Sequence, residues 1–479
     1  MSSHRSIALS PAEAATALTR RQFLGNYAGS LGGLALAHLL QKAAIAGNAV
    51  GEGHGAARRP TAKNVICLFQ HGGPSQMDLF DPKPALNKYH GKPYPGGQVE
   101  AHFDKQRGNV LGSPFQFKPS GNSGMQLCEL LPHTARVADR LTLVRSMNTE
   151  SVDHESALRL IHTGRFFAGM PTWGAWVTYA LGTENQNLPA YVVLGDPGGL
   201  PIDGERNWSA GWLPALYQGT PFRSGTSPVL NLRTPESISA DARANQMRLL
   251  DALNRAHLER HPQNSELEAR LANFETAARM QTTVPDAIDL SDETAETRKL
   301  YGLDNKTTAE YGARCLLARR LVERGVRFVQ LFLKSQPWDT HNKNADSLKS
   351  LCAMTDQPSA ALVHDLDRRG LLDSTIVLWT GEFGRLPISQ GADGRDHNRR
   401  GFSLWIAGGG FKPGYVHGAT DDFGYEAVQD VVTVHDLHAT LLAALGLDHR
   451  QLAYPHDGRP TSLTDADVTH ARVVPELLA

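Results

Sequence analysis

The stretch NVICLFQHGGPSQMD, residues 64–78, sets the fold class of this 479-residue chain. Its first seven residues form a short, nearly continuous apolar run, which is typical of a strand buried on both faces of a parallel sheet. The run stops at HGGPSQMD, where two glycines and a proline predict a loop. The sequence therefore predicts a buried strand whose carboxyl end carries His71.

Strands and helices alternate along the rest of the chain. We predict further strands over 141–146, 190–195, 326–333, 374–380 and 401–407. We predict helices between 126 and the strand at 141, and over 154–164, 172–182, 315–325, 347–370 and 433–447. Residues 236–300 combine helical periodicity with many charges and predict a helical insertion on the flank of the domain. This order predicts an α/β fold, a three-layer αβα sandwich with a mostly parallel central sheet.

The amino-terminal segment predicts an export signal. Arg20-Arg21 precede a mild apolar run at 27–40, and Ala44-Ile45-Ala46 matches a cleavage pattern. We interpret 1–46 as a twin-arginine signal peptide, 47–62 as a linker and 63–465 as the folded domain. The protein is then expected in the periplasm or secreted, and the alternative is an ordinary amphipathic helix. No other segment has about 18 apolar residues, so we expect no stable membrane span after cleavage.

The charge balance and the cysteine spacing argue against nucleic-acid binding and against a thiolate zinc site. The formal net charge is -1, so no basic field indicates nucleic-acid binding. The four cysteines are far apart and form no CxxC pattern, which makes a thiolate zinc site improbable. A disulfide, for example between Cys315 and Cys352, stays an open alternative.

Imidazole and carboxylate groups follow the predicted strands. His71 comes directly after the first strand, WDTH places Asp339 and His341 after the strand at 326–333, and Glu382 follows the strand at 374–380. The motif GRDHN adds Asp396 and His397, and DHES places His154 at the start of a helix. Because ligands gather at the carboxyl edge of such sheets, we expect these groups to converge there. Mixed nitrogen and oxygen donors suit zinc, manganese or iron, and the identity of the metal stays open.

Each candidate also has an ordinary interpretation. His71 could cap a turn, Asp339 and His341 could lie on a solvated loop, and Glu382 could pair with Arg385. His154 could be an ordinary residue of the first helical turn, with Asp153 as its N-cap. His435 and His438 are interpreted as one capping and one exposed residue of a helix.

At the level of these motifs the chain resembles a known group. It resembles the exported "domain of unknown function 1501" family, within the alkaline phosphatase and sulfatase superfamily, from about Asn64 to Leu463. The segments that carry the resemblance are TRRQFL, HGGPSQMDLFDPKP, LPAYVVLGDPGG, CLLARRLVERGVRFVQL, WDTHNKN, TGEFGRLP and GRDHN. The resemblance implies an alkaline-phosphatase-like core.

The superfamily resemblance also implies roles for individual residues. His71 stands where a metal-binding aspartate is usual, and Glu382-Phe383-Gly384 matches Asp-His-Gly with the imidazole lost. Asp339, His341 and His397 stand where further ligands are usual. Counting back from Thr163-Gly164-Arg165 places His154 at the position of the nucleophile. Arg165 or Arg385 could bind the substrate anion, because a guanidinium fork matches such oxygens, and a structural ion pair is the alternative for each.

The histidine at the nucleophile position changes the expected chemistry. It cannot become formylglycine, and it cannot be phosphorylated as serine or threonine can. His154 could attack directly, or it could be a metal ligand while a metal-activated water attacks, and we favour the second. The sequence thus predicts an exported metal-dependent hydrolase of a small-molecule or polysaccharide ester of phosphate or sulfate. The alternatives are a non-catalytic binding or assembly protein that keeps the fold and a structural metal, and a metal-dependent isomerase or transferase.

Overall fold

The apolar run at 64–69 forms a strand near the middle of the main sheet, and all six of its residues are buried. This computed structural model describes residues 61–102, 106–223, 237–261 and 265–479. The predicted signal peptide and residues 47–60 of the predicted linker lie outside the described residues.

Short strands and helices of very different length make up the described chain. The strands are β1 (Asn64–Phe69), β2 (Arg107–Val110), β3 (Phe117–Ser120), β4 (Met125–Cys128), β5 (Leu141–Asn148), β6 (Tyr191–Leu194), β7 (Thr220–Phe222), β8 (Phe328–Phe332), β9 (Thr375–Thr380), β10 (Gly384–Gln390), β11 (Gly394–Asn398), β12 (Phe402–Ala407), β13 (Tyr415–His417), β14 (Ala419–Thr420), β15 (Ala427–Gln429), β16 (Val432–Thr433), β17 (Tyr454–His456) and β18 (Arg459–Thr461). The α-helices are α1 (Gln76–Leu79), α2 (Pro84–Tyr89), α3 (His154–Thr163), α4 (Trp173–Leu181), α5 (Ala240–Arg260), α6 (Ser265–Ile288), α7 (Ala295–Leu300), α8 (Ala309–Glu323), α9 (Asn344–Arg368), α10 (Val434–Ala444) and α11 (Ala466–Thr469).

The predicted α/β class with a mostly parallel sheet is confirmed. In the described part of the chain the main sheet has nine strands, in the order β13-β5-β12-β9-β1-β8-β6-β7, with β16 also paired to β5. β1 pairs in parallel with β8 and β9, and β6 pairs in parallel with β7 and β8. β12 runs antiparallel to both its neighbours, β5 and β9. The carboxyl ends of the parallel strands therefore meet at one edge.

The alternation of side chains along β1 builds two cores. Ile66 and Leu68 pack in one buried cluster with residues of α8 and α9. Val65, Cys67 and Phe69 pack in a second buried cluster with residues of α3, α4 and α10. Because successive strand side chains point to opposite faces, a strand that is apolar throughout requires a helical layer on each side. The fold is thus an αβα sandwich.

One local prediction was wrong, and one strand was not predicted. The predicted helix between 126 and 141 contains instead β4, which forms a hairpin with β3, and a 3₁₀ helix, Thr134–Arg140. The segment GRDHN, for which no strand was predicted, is β11 in a small sheet of order β11-β10-β2. Both strands are fixed by pairing with the preceding strand of a hairpin, β3 for β4 and β10 for β11.

The predicted insertion at 236–300 contains α5, α6 and α7. The four cysteines are buried and none is in a disulfide, so the Cys315–Cys352 alternative is wrong. Among the described helices, none has the combination of length and apolarity that crossing a bilayer requires. His435 and His438 are both buried, and Thr433, not a histidine, caps α10. The prediction of one capping and one exposed histidine was therefore wrong.

Candidate metal centre

The site lies at the edge where the central parallel strands end. β1, β8 and β9 are followed by His71, by a loop with Asp339 and by Glu382, respectively. Two other elements reach the same edge: β11 carries His397, and α3 begins at His154. Both of these imidazoles contact Asp339. Side chains that are separated along the chain therefore converge around one carboxylate.

Asp339 is at the centre of this cluster. Its Oδ1 lies 3.0 Å from Nε2 of His341 and 3.2 Å from Nε2 of His397. Its Oδ2 lies 3.4 Å from Nε2 of His154. The ring centroid of His397 is 4.4 Å from that of His154 and 4.6 Å from that of His341. Three imidazole Nε2 atoms thus surround a carboxylate that is 11% exposed.

Second-layer acceptors fix the tautomers of two of these rings. The main-chain oxygen of Val152 lies 2.6 Å from Nδ1 of His397 and can only accept, so Nδ1 carries a proton. The side-chain oxygen of Gln390 holds Nδ1 of His341 in the same way. In each neutral ring, Nε2 then presents a lone pair to Asp339, which is also an acceptor. Acceptors this close to one another repel unless a proton or a metal ion lies between them.

A carboxylate holds the third ring. Oε1 of Glu382 lies 2.6 Å from Nδ1 of His154, and Glu382 also accepts from the backbone N–H of Gly72 at 2.9 Å. Nε2 of His154 is buried and, among the described atoms, has no hydrogen-bond partner, although Asp339 is 3.4 Å away. A carboxylate behind a histidine whose other nitrogen points at a shared centre is the usual outer layer of a metal site.

The spacing of the donors suits a metal ion. Ligand atoms on a tetrahedral zinc with bonds of about 2.0 Å lie about 3.3 Å apart. The three contacts of Asp339 range from 3.0 to 3.4 Å. Within the described residues, two groups bring their ligand atoms within 4.8 Å of one another: His154 with Asp339 and His397, and His341 with Asp396 and His397. The donors present therefore fit a transition metal, and the two groups share His397.

Burial and nearby charges set the protonation states of these groups. Burial lowers the pKa of His397 to about 4, although contact with Asp339 opposes the shift. Burial also disfavours a charged Asp339, but bonds from the three imidazoles and from Arg385 hold the pKa of this carboxyl well below its usual range. For His154, burial lowers the pKa, but the contacts with Asp339 and Glu382 outweigh burial and raise it to about 9, so this ring is protonated near neutral pH and a metal ion would displace that proton. Asp339 is thus ionised and His397 neutral near neutral pH.

His71 lies behind the cluster and belongs to neither group of donors. Its side chain is fully buried, and within the described residues neither ring nitrogen has a hydrogen-bond partner. The ring packs edge-on against Phe69, with centroids 5.4 Å apart. Burial lowers its pKa to about 4 in spite of the opposing charge of Glu382. His71 is therefore a neutral buried imidazole close to the carboxylate that holds His154.

Arg385 is close to the cluster, but its donors are used. Nε donates to the oxygen of Gly73 at 2.9 Å, and Nη1 donates to the oxygen of Arg395 at 3.0 Å. Nη2 donates to the oxygen of Gly72 and, at 2.7 Å, to Asp339. The side chain is fully buried. Arg385 therefore ties the strand-end loops together and orients Asp339.

The structure does not bring Arg165 to the cluster. Arg165 follows the carboxyl end of α3, and a ten-residue helix is about 15 Å long. Its guanidinium pairs with Asp465 at 3.0 Å and donates to the oxygen of Gly164 at 2.8 Å. His154 and Arg165 thus lie at opposite ends of one helix.

Sequence reasoning missed the residues that orient the ligands. Val152 acts through its main chain, so no side-chain pattern could reveal it. Gln390 lies 49 residues from its partner, His341. The segment SQMD gave a usable signal, since polar residues follow a strand there. In it, Gln76 bonds the main chain of Arg385, and Oδ2 of Asp78 lies 2.7 Å from Nε of Arg395.

Comparison with known proteins gives a family but no activity. Residues 62–478 match the sequence model of a family described as "Protein of unknown function (DUF1501)". No curated protein matches the chain.

Several solved structures are similar in fold at low sequence identity. A sulfatase from Pseudoalteromonas sp. is 12% identical, with 85% of this chain and 70% of that chain covered and a TM-score of 0.33. A phosphonate monoester hydrolase from Silicibacter pomeroyi is 12% identical, with 71% and 72% covered and a TM-score of 0.32. An alkaline phosphatase from the Antarctic bacterium TAB5 is 12% identical, with 80% and 98% covered and a TM-score of 0.31.

Proposed function

The chain belongs to the DUF1501 family, whose function is unknown, and we propose from its site that it is a divalent-metal-dependent hydrolase of phosphate or sulfate esters. One observation carries the proposal: three imidazoles direct Nε2 at Asp339 while an acceptor holds each Nδ1. This arrangement suits an ion because the ring of His397, neutral and protonated at Nδ1, offers Asp339 a lone pair and no proton, and a metal ion would take the place of the proton on Nε2 of His154.

The donor set favours a first-row transition metal. Imidazole suits zinc, iron and manganese, whereas magnesium and calcium prefer oxygen ligands. We propose His154, Asp339 and His397 as the ligands of the ion, with His341 beside them. When bound, such an ion acts as a Lewis acid, lowers the pKa of water and offsets charge on the ester oxygens.

The protein groups favour attack by water over a covalent route. Both nitrogens of His154 face carboxylates, at 2.6 Å to Glu382 and 3.4 Å to Asp339, so its ring is held as a ligand would be. The nearest hydroxyl on α3, that of Ser156, bonds Asp153 at 3.0 Å and completes the helix cap. Water is therefore the attacking group in this proposal, and the imidazoles stay in place.

The test combines metal analysis with turnover. Protein purified without chelators is analysed for bound metal, and aryl phosphate and aryl sulfate hydrolysis is measured with added Mn, Zn or Fe. Loss of an outer-layer partner of a metal ligand lowers metal affinity by at most about 100-fold. Because His397 is a proposed ligand itself, we expect His397→Ala to lower metal affinity by more than that and to abolish turnover. His364→Ala, at an exposed histidine of α9, is the matched control and should behave as wild type. Wild-type protein that binds none of these metals would refute the proposal.

The missing hydroxyl nucleophile favours a second candidate. A binding or assembly protein could keep the ion for structure alone, since His154 stands where the resembling enzymes carry their nucleophile. Tight metal binding without turnover of either ester would support this candidate. Its metal site would be the same, so His397→Ala would still lower metal affinity.

We also propose export through the twin-arginine route, on the sequence of residues 1–46 alone. Changing Arg20 and Arg21 to lysine should leave the precursor in the cytoplasm, as judged by cell fractionation. Secretion at the normal level would reject this assignment. Changing Arg58 and Arg59 to lysine is a control outside the predicted signal.

A further inference from the structure

The ring of His397 packs against two rings outside the donor groups, those of Phe383 and His102. The Phe383 ring lies 4.6 Å away at an interplanar angle of 35°, and the His102 ring lies 5.0 Å away at 22°. Phe383 is fully buried, whereas His102 is exposed. His102 therefore places an exposed imidazole against a proposed metal ligand.

A phosphate or sulfate ester needs donors for its anionic oxygens beside the metal. The guanidinium of Arg385 is buried, and its donors go to main-chain oxygens and to Asp339. The guanidinium of Arg165 is at the other end of α3, in an ion pair with Asp465. Neither arginine thus presents its guanidinium to an incoming anion. An exposed imidazole beside the proposed ligands, that of His102, can supply an N–H donor of the kind that an oxyanion accepts.

We infer that His102 contacts the anionic group of the substrate as it enters the metal centre. The inference rests on the proposed hydrolase function and adds a substrate-binding residue to it. It places the oxyanion against the outer ring of the stack, next to His397. The chemical class of ligand is a tetrahedral oxyanion, carried by an ester or free in solution.

A purely structural role for His102 makes a different prediction. If its ring served only to hold His397 in place, phenylalanine at 102 would preserve the role, because the stack would remain. If His102 binds the anion, phenylalanine keeps the stack and removes both ring nitrogens. The two roles are therefore separated by His102→Phe.

The test measures metal affinity and the binding of inorganic phosphate to metal-loaded protein by titration calorimetry. For His102→Phe we expect metal affinity within about twofold of wild type and phosphate affinity lowered about tenfold, as expected for a lost hydrogen bond to a charged group. With aryl esters, KM should rise more than kcat falls. His364→Ala should match wild type in all these measurements.

The outcomes separate this inference from the proposed function. In one outcome the wild type hydrolyses esters or binds phosphate, and His102→Phe has the same phosphate affinity as the wild type. This outcome would overturn the inference and leave the hydrolase proposal intact. A fall in metal affinity in His102→Phe would show that the ring nitrogens of His102 act on the metal site itself, and it would also overturn the inference. Wild-type protein that binds metal but shows neither turnover nor phosphate binding would overturn both.

Discussion

At the scale of the residue, an imidazole in this fold takes its role from its second nitrogen. His154 and His397 each have Nδ1 2.6 Å from an acceptor, which directs Nε2 to Asp339. His438, by contrast, uses Nε2 to bond the main-chain oxygen of Ile161 at 2.9 Å and has Nδ1 buried. The same side chain is thus oriented toward a charged centre in one place and fixed in a core in the other.

The carboxylate behind His154 should tune metal binding. Glu382→Gln keeps the size and an oxygen acceptor for Nδ1 but removes the negative charge. Because outer-layer partners of metal-binding histidines contribute about 10–100-fold to affinity, we expect a loss in that range, measured by competition with a chromogenic chelator. Glu155→Gln changes an exposed neighbour on the same helix and should have little effect. Equal affinities for wild type and Glu382→Gln would contradict this role.

The buried His438 should make stability depend on pH. Burial lowers its pKa to about 3, so between about pH 6.5 and 3 the unfolded chain binds a proton that the folded chain does not. Its contribution is complete above the unfolded pKa and is lost as the pH falls. From pH 6.5 to 5 the loss amounts to about 2 kcal/mol. Urea unfolding of His438→Gln, which does not titrate, should show a smaller loss over this range by about that amount. An identical loss in wild type and His438→Gln would refute the assignment.

At the scale of the element, the short helix α1 fastens the β10–β11 hairpin to the main sheet. Gln76 bonds the main chain of Arg385 in β10 at both nitrogen and oxygen. Asp78 pairs with Arg395 in β11, and both side chains are fully buried. Since β11 carries His397, this fastening sets where one proposed ligand lies. The polar residues after His71 thus support the site without entering it.

Removal of the buried carboxylate of Asp78 in α1 should lower the free energy of unfolding. Asp78→Ala leaves the guanidinium of Arg395 buried without its carboxylate, and breaking such a pair costs about 3–5 kcal/mol. We expect the free energy of unfolding, measured with urea, to fall by that amount. Lys349→Ala breaks an exposed ion pair with Asp346 and should change it by less than about 1 kcal/mol. Similar effects of the two substitutions would show that the buried pair does not hold the hairpin.

At the scale of the whole molecule, the parallel sheet gathers residues from across the chain at one edge. His154 and Glu382 are 228 positions apart, and Val152 and His397 are 245 apart. An ion held among such residues links α3, β11 and the loop after β8. It would therefore stabilise the folded domain as a whole.

Metal removal should lower the stability of the protein. A ligand that binds only the folded state at 100 times its Kd adds about 2.7 kcal/mol at 25 °C. Treatment with chelator should lower Tm, and added Zn or Mn should restore it. In His397→Ala the restoration should be lost or much reduced, and in His364→Ala it should be retained. A Tm that is insensitive to metal in the wild type would contradict an ion at this edge.

The sequence by itself determined the α/β class and the placement of imidazoles and carboxylates after the strands. Both follow from local signals: apolar runs of strand length, glycine- and proline-rich stops, and the rule that parallel strands end at one edge. It missed β4 and β11, which are short strands that pair with the preceding strand of a hairpin, so that this pairing, and not an apolar pattern of their own, fixes them as strands.

Only the tertiary structure decided how these groups are used. Glu382 became the partner of His154, Arg385 became a tie between loops, and Arg165 was left at the far end of α3. These roles depend on which donor meets which acceptor, and residues more than 200 positions apart make some of those contacts. A hydrogen bond acts over about 3 Å, so a sequence pattern can bring candidates to an edge but cannot assign their partners.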